Sequence, residues 1–469
     1  MTDSKRIKLP SEFVLRYEKH PGINAADFFN AIESESPISI RINPRKWEKH
    51  LLLDKVPWCQ TGFYLPARPS FTLDPYFHGG AYYVQEAGSM LLEQAINTIK
   101  KSEPQLVLDL CAAPGGKSTH LLSLLKPYDL LVSNEVIRGR AGILQENIQK
   151  WGNSNVLVTN NDPKDFAHLN NFFDIVIVDA PCSGEGLFRK DTAAIGEWSV
   201  NNTQLCAARQ KRIILEAWEC LKPGGHLIYS TCTFNPAENE ENLQWLTEHT
   251  EANPIEIKTG ASWNIETIRY KNIIGYQTFP HKTRAEGFFI GILRKNGNPV
   301  KNKKPPKANY RSCITPPVKT VSNIVNWIKE SQNEDFLQKG NDCFYLKSDW
   351  HPLVSVFEKY LNILQAGTPV ATFKGTQFSP HPALALSCDF NSEAFHSEDL
   401  STEQSLRYLQ KENIHIEGND RGWILVKYNN LPLGWMKNIG NRTNNYFPKE
   451  RRIRMNFSEA PPPWHIKLF

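Results

Sequence analysis

Between residues 101 and 295, short apolar runs alternate with helix-like stretches, and that alternation leaves few folds open. The runs are Leu106 to Leu110, Leu130 to Ser133, Val156 to Thr159, Ile175 to Asp179 and His226 to Ser230. Between them lie Gly139 to Trp151 and Gln204 to Leu221. In the latter, Leu205, Ile213, Ala217 and Leu221 can share one helical face, and Pro223-Gly224-Gly225 ends it. Uninterrupted Val/Ile/Leu runs between helices predict a parallel sheet buried on both faces, an α/β fold.

The flanks differ in character. Residues 1–100 read as an N-terminal α+β region: helices at Ser11 to His20 and Ala25 to Ile32, a strand at Ile38 to Ile42, then Tyr82 to Ala87 and a helix through Ile96. Residues 101–295 form the predicted catalytic domain and 296–320 a basic, Pro-rich linker. Residues 291–320 hold eight Lys/Arg, five Pro and no acid, so the stretch reads as an exposed tether. Residues 321–469 read as a β-rich domain with strands at Pro369 to Phe373, Trp423 to Tyr428 and Ile453 to Phe457. Lys437 to Arg454 carries six Lys/Arg against one acid, with Tyr446 and Phe447 among them. That mixture suits phosphate contact and base stacking, and equally a solvated face.

Composition narrows the function classes. No apolar run approaches the ~20 residues of a membrane helix, and no signal-peptide core follows Met1, so a cytoplasmic protein without a membrane partner is expected. The nine cysteines include no Cys-x-x-Cys pair, which argues against a disulfide framework, a zinc ribbon or any metal site. A net charge of +5 allows a nucleic-acid partner without requiring one.

The sharpest local feature is Leu108-Asp109-Leu110-Cys111-Ala112-Ala113-Pro114-Gly115-Gly116-Lys117-Ser118-Thr119, where a strand ends, a tight turn follows and a helix begins. A phosphate-binding P-loop would need glycine where Cys111 stands. A nucleoside-cofactor site fits better, because small residues let a ligand approach the amides at the helix start. Glu135 ends the second run, twenty residues after Gly115, and suits ribose hydroxyls. Asp162 follows the third run and could accept from an adenine amino group. Each acid alone reads as readily as a helix cap; arriving in order behind the turn, they point to the cofactor.

The fourth run ends Asp179-Ala180-Pro181-Cys182-Ser183-Gly184-Glu185-Gly186, and the fifth ends Ser230-Thr231-Cys232-Thr233-Phe234-Asn235-Pro236. Adjacent strands would bring these two thiols to one rim. Cys111, Cys206 and Cys220 read as small buried hydrophobes. Cys182 and Cys232 lie in Pro/Gly/Ser turns next to helix starts, where a thiolate is favoured. A thiolate beside a methyl donor suits cytosine chemistry. Sulfur added to ring carbon 6 makes carbon 5 nucleophilic, a carboxyl near ring nitrogen 3 assists, and a second thiol helps remove the carbon-5 proton.

These motifs resemble those of the Nop/Sun family of RNA 5-methylcytosine methyltransferases. The resemblance rests on Cys111 to Lys117, Asp179 to Gly186 and Tyr229 to Phe234, with Pro223 to Gly225, Asn235 to Asn239 and Tyr82 to Ala87. It covers about residues 35–295. It implies a Rossmann-like, class I S-adenosylmethionine-dependent fold whose seven-stranded sheet ends in an antiparallel strand. It implies that Cys111, Ala112, Ala113, Pro114, Gly115, Gly116, Lys117, Glu135, Asp162 and Asp179 line the cofactor site. Cys232 would be the nucleophile, Cys182 would help release product, and Asp179 would contact the flipped cytosine. Arg189-Lys190-Asp191, Leu433-Gly434-Trp435 and Tyr446 to Lys449 are similar to the bacterial RsmF-type branch, which methylates small-subunit (16S) ribosomal RNA and ends in a PUA-like RNA-binding domain. That similarity implies substrate contacts from Arg189 and Lys190, RNA binding by the N-terminal region, and a monomer acting on 16S rRNA or the small subunit.

Three other readings remain open from the residues. A DNA cytosine methyltransferase would use Cys182 and leave Cys232 idle, so the pair of cysteines favours RNA. A tRNA cytosine methyltransferase and a non-catalytic ribosome-assembly protein on the same fold are the others. Removing residues 321–469 is expected to weaken RNA binding and its salt dependence while sparing cofactor binding, as a filter-binding salt series would show.

Overall fold

A computed structural model describes residues 8–20, 22–47, 50–297, 312–374, 377–416 and 421–456. The five apolar runs become parallel strands: β1 (Leu106–Asp109), β2 (Leu130–Asn134), β3 (Val156–Thr159), β4 (Phe173–Asp179) and β5 (Leu221–Thr231). Two later strands, β6 (Ile273–Thr278) and β7 (Phe288–Lys295), complete the order β6-β7-β5-β4-β1-β2-β3, with β7 antiparallel to both its neighbours. The expected seven Rossmann-like strands are present within a larger sheet, which Glu266–Tyr270 extends antiparallel beyond β6. Val107, Leu108, Leu131, Val132, Ile175 and Val176 are fully buried, because helices cover both faces. Chain order reverses between β1 and β4, so the strand ends there open a crevice in which α/β proteins bind ligands.

Three helices bear on that crevice: α1 (Gly116–Leu124), α2 (Arg138–Trp151) and α3 (Val200–Cys220). The expected face of α3 is corrected at one end. Ile213, Ala217 and Leu221 are buried, but Leu205 is 65% exposed. The buried stripe passes instead through Thr203, Cys206, Ala207 and Gln210, about 100° around the helix from Leu205. Pro223-Gly224-Gly225 does not end α3 either; it lies inside β5, and the helix stops at Cys220.

The N-terminal region packs on the loops that follow β4 and β5. Its helices Ser11–Glu18 and Ala25–Glu33 supply Phe13, Tyr17 and Phe28 to a buried cluster with Phe188, Trp198, Phe234 and Phe279. Each such side chain contributes about 1.5–3 kcal/mol of burial. Strands Ile38–Ile42, Gly62–Leu65 and Tyr82–Val84 form a separate antiparallel sheet.

The C-terminal third holds two four-stranded sheets: one of Phe336–Lys339, Asp342–Tyr345, Thr368–Lys374 and Gln377–Pro380, the other of His396–Asp399, Gly422–Tyr428, Leu431–Asn438 and Thr443–Asn445. Two expectations change here. Ile453 to Asn456 forms no strand; Ile453 is tied to Leu409 by one backbone bond and buried in the core of the second sheet, and Phe457 lies outside the described residues. Strand Ile363–Ala366, from the stretch read as a separate domain, pairs antiparallel with β3 and extends the catalytic sheet. Most of the basic tether, residues 298–311, lies outside the described residues. Its described end stays largely exposed, as expected, but is anchored at one point: Ser312 and Cys313 donate backbone N–H groups to Glu358, and Cys313 is 3% exposed.

A chain ending at residue 320 therefore loses more than RNA affinity. Without Ile363–Ala366, β3 becomes a bare edge. Its melting temperature is expected to fall by several degrees, roughly the effect of 1–2 kcal/mol, with self-association visible on gel filtration.

Candidate active site

The turn after β1 is built for close approach. Gly115 adopts φ 112°, a conformation side chains disfavour, and α1 starts directly behind it. Neighbouring elements hold the turn's backbone. Ala112 N–H donates to Asn134, Arg140 donates to the Ala113 carbonyl, and Asn147 donates to that of Pro114. Cys111 is half-buried beside the acids, and burial pushes its thiol far above the ordinary range. As expected, Cys206 and Cys220 are small buried residues.

Acids gather around this turn. Asp109, at the end of β1, is fully buried; its Oδ2 accepts from Ser118, and its Oδ1 has no partner among the described residues. Burial pushes its carboxyl up to about 7. Glu135 ends β2, is 3% exposed, and accepts from the Ile137 N–H. Asp162 accepts from Lys164 N–H and so caps the 3-10 helix Pro163–Leu169, the structural role open to it from the sequence. Asp179 Oδ2 sits 2.8 Å from Lys117 Nζ, and its Oδ1 accepts from Ser230 at 2.9 Å. An orphaned carboxylate oxygen and three acids around a helix N-terminus suit a ligand carrying both positive charge and hydroxyls.

The two predicted cysteines meet. Cys182 Sγ lies 3.0 Å from Cys232 Sγ, both free thiols and half-buried. Gly186 N–H donates to the Cys232 carbonyl at 2.9 Å, tying one loop to the other. One expectation fails at Cys182: the neighbouring Cys232 and burial raise its thiol well above the ordinary range, so its turn does not favour a thiolate. It is held as an S–H beside the Cys232 sulfur.

Arg189 and Lys190 separate. The Arg189 guanidinium is already committed to Glu286 at 3.0 Å and to the carbonyls of Ala31 and Ala285. It fastens the N-terminal region to the catalytic domain. Lys190 is exposed. In the basic C-terminal tract, Phe447 is buried, whereas Tyr446 stands 43% exposed against Trp423, which Lys437 overlies at 5.0 Å. Arg451 turns inward to Gln149 and Glu146. Arg442, Lys449, Arg452 and Arg454 remain exposed.

Sequence reasoning missed Arg41 and Glu185. Arg41 is fully buried and donates to Gly116 O, Thr119 and Gln85, bracing α1 from the N-terminal sheet. Glu185 is buried in the Cys182 loop and receives Tyr17 at 2.6 Å, Arg16 at 3.0 Å and Trp198 at 2.9 Å. The available signal was a charge next to a motif, which periodicity assigns to solvent.

Comparison with known proteins agrees with this geometry. The profile of 16S rRNA methyltransferase RsmB/F matches residues 96–294, that of the N-terminal domain of 16S rRNA methyltransferase RsmF residues 9–87, and that of the RsmF PUA domain residues 395–453. Ribosomal RNA small subunit methyltransferase F of Vibrio cholerae serotype O1 (strain M66-2) is 30% identical across 95% of this chain and 98% of its own. The chain belongs to the RsmF branch of this methyltransferase family. The enzyme of the same name from Erwinia tasmaniensis is 29% identical across 96% and 98%. Among solved structures, a methyltransferase homolog from Pyrococcus horikoshii superposes with TM-score 0.53 at 29% identity, covering 62% of this chain and 96% of that one. NSun6 from Pyrococcus horikoshii with SFG shares the fold, with TM-score 0.53 at 20% identity, covering 62% and 99%. Among the described residues no helix is long and apolar enough to cross a membrane.

Gly186 is where this rim has least room. A Cβ there would lie 2.3 Å from Gly287 O and 2.8 Å from Cys232 O. Gly186→Ala is expected to destabilise the chain by about 1–3 kcal/mol in urea unfolding, because backbone must move to admit it.

Proposed function

We propose that this protein methylates carbon 5 of a cytosine in small-subunit ribosomal RNA, using S-adenosylmethionine. The observation that carries the reading is the contact of Cys182 and Cys232 at the rim shared with Asp179 and Lys117. A DNA-type mechanism would use Cys182 and leave Cys232 idle, whereas the RNA-type mechanism uses both of the sulfurs that meet here. The names of the relatives point to 16S rRNA, and the PUA match with its exposed Tyr446, Trp423 and Lys437 supports an RNA partner.

The residues of the turn fit the cofactor. S-adenosylmethionine carries a methyl group on positively charged sulfur, open to attack by carbon. Asp109, with its unpaired Oδ1, would offer an anion to the cofactor's cationic part, Glu135 would take its ribose hydroxyls, and Gly115 and Gly116 would admit it to the backbone. Asp162 would take the adenine amino group with its remaining oxygen, the other being spent on its cap.

Cys232, its thiol proton given up to solvent, adds as a thiolate to cytosine carbon 6, and the carbon 5–carbon 6 electron pair becomes available at carbon 5. Asp179, held by Lys117 and Ser230, faces the ring and steadies its polar edge. Once methylated, carbon 5 still bears a proton. Cys182, once its own S–H proton has passed to solvent, takes that proton as a thiolate; the double bond re-forms, the bond from carbon 6 to Cys232 breaks, and Cys232 leaves as a thiolate. A thiol pushed up by burial is a strong base once deprotonated, which suits Cys182 to this step. Lys190 is the exposed cation of the loop for RNA phosphate; Arg189 acts by holding that loop. The protein works as a monomer in the cytoplasm, where its free thiols persist.

Cys232→Ala is expected to abolish methyl transfer to 16S rRNA while leaving cofactor affinity unchanged. Cys182→Ala is expected to accumulate a covalent protein–RNA adduct on denaturing gels. Reversed behaviour would overturn the assignment, and bisulfite sequencing of ribosomal RNA with and without the gene locates the base.

Asp109 gives a pH signature. Its folded-state value of about 7 lies above the ordinary ~3.9 of an aspartate. Its contribution to stability is therefore fully present below about pH 3.9 and lost as pH rises through about 7. A cationic ligand favours the ionised form, so cofactor affinity is expected to weaken by up to about tenfold per pH unit below 7. Asp109→Asn should flatten that slope in calorimetric titrations.

A further inference from the structure

Glu238 is fully buried in the turn after β5, and the reaction above gives it no task. Its carboxylate accepts both the N–H and the hydroxyl of Ser183, the residue after Cys182. It also accepts Gln210 Nε2 of α3 at 3.0 Å, and the same nitrogen donates to the carbonyl of Pro181, the residue before Cys182. Ser183 Oγ lies 3.0 Å from Thr233 Oγ1, beside Cys232. On the other flank Asn239 donates to the Thr233 carbonyl and accepts from Thr231. All four neighbours of the two cysteines thus belong to one buried network, and its charged member is Glu238. Burying a carboxylate costs several kcal/mol, and an apolar side chain could fill the same space at lower cost. The charge is what this position uses.

We propose that Glu238 is a positioning residue for the reaction. By gripping Ser183 it holds the Cys182 sulfur against Cys232 and the adduct that Cys232 forms. This rests on the two-cysteine reading above. Only an ionised Glu238 accepts all three bonds without having to donate one, so protonation loosens the grip. Burial pushes this carboxyl up to about 7, against the bonds from Ser183. The titratable groups facing it are Glu185 and Cys182 of the β4 loop, Cys206 of α3 and Tyr229 of β5. The grip engages as pH rises through about 7.

The test compares full-length wild type, Glu238→Gln and Ser183→Ala in methyl transfer to 16S rRNA from about pH 6 to about pH 9, with adduct gels and thermal unfolding alongside. Glu238→Gln is expected to lower kcat about ten- to a hundredfold with KM for both substrates unchanged, because sulfur placement suffers and binding does not. It should also accumulate adduct and lose the rise in rate through pH 7. Ser183→Ala removes a donor without touching the charge. It should slow release in the same direction and move the pH limb upward, because the hydroxyl bond opposing burial is gone. If Glu238→Gln does not fold, Ser183→Ala decides alone. A folded variant with wild-type kcat, wild-type pH limb and no adduct overturns the proposal. Methyl transfer by Cys232→Ala would instead sink the two-cysteine reading itself.

Discussion

The rim depends on one register. β4 and β5 run parallel with Val178 beside Tyr229 and Asp179 beside Ser230. Cys182 and Cys232 follow within three residues of that last pair, and so their sulfurs meet. A one-residue slip would shift one loop by about 3.3 Å and turn its side chains to the other face. The register is hard to slip because both strands are buried on both sides; Ile175, Val176, Ile177, Leu227 and Ile228 are all inaccessible to solvent. Packing far from the chemistry therefore sets the sulfur–sulfur distance.

Charge around the rim follows from the same strand ends. β1, β2 and β4 each finish on or next to an acid, Asp109, Glu135 and Asp179, and Lys117 in the first turn of α1 answers one of them. The Lys117–Asp179 pair is partly exposed, and such pairs add about 0–1 kcal/mol. Its value is placement: it holds Asp179 between the turn and the cysteine loops. Asp109 is left with an oxygen that nothing among the described residues satisfies. An open buried acceptor beside a glycine turn is the feature on which the proposed cofactor reading rests.

The sheet was legible because buried parallel strands write themselves as unbroken apolar runs; Val156–Thr159 and the end of β4 at Asp179 fall where the residues place them. The turn and the paired cysteines were legible because their spacing to strand ends is short. What failed shares a cause. Strand Ile38–Ile42 alternates Ile with Ser39 and Arg41, a pattern that assigns the polar face to water, yet Ser39 is 4% exposed and Arg41 0%. That face packs on α1, a contact no local pattern encodes. Leu205 misled in the opposite sense, an apolar residue left outside because small and polar residues fit the helix contact. Ile363–Ala366 could not be assigned to the catalytic sheet from sequence, since its partner β3 lies some two hundred residues earlier. Phe447 and Arg451 belong to a run that reads as a uniform basic surface, and tertiary packing alone turns them inward.

The same blindness hid how firmly the N-terminal region is bolted to the reacting loops. Tyr17 and Arg16 end on Glu185, three residues past Cys182. Phe13 and Phe28 share a cluster with Phe188 and Phe234, each within six residues of Cys182 or Cys232. Arg189 and Glu286 form an ion pair whose side chains are 6% and 2% exposed, and Ser36 adds its hydroxyl to the same carboxylate. Breaking a buried pair by removing one partner costs about 3–5 kcal/mol. The boundary near residue 100 is therefore a change of sequence character, not a hinge. Any load on the N-terminal helices is passed to the loops of Cys182 and Cys232. Substrate selection outside the catalytic sheet then has a short physical route to the two sulfurs.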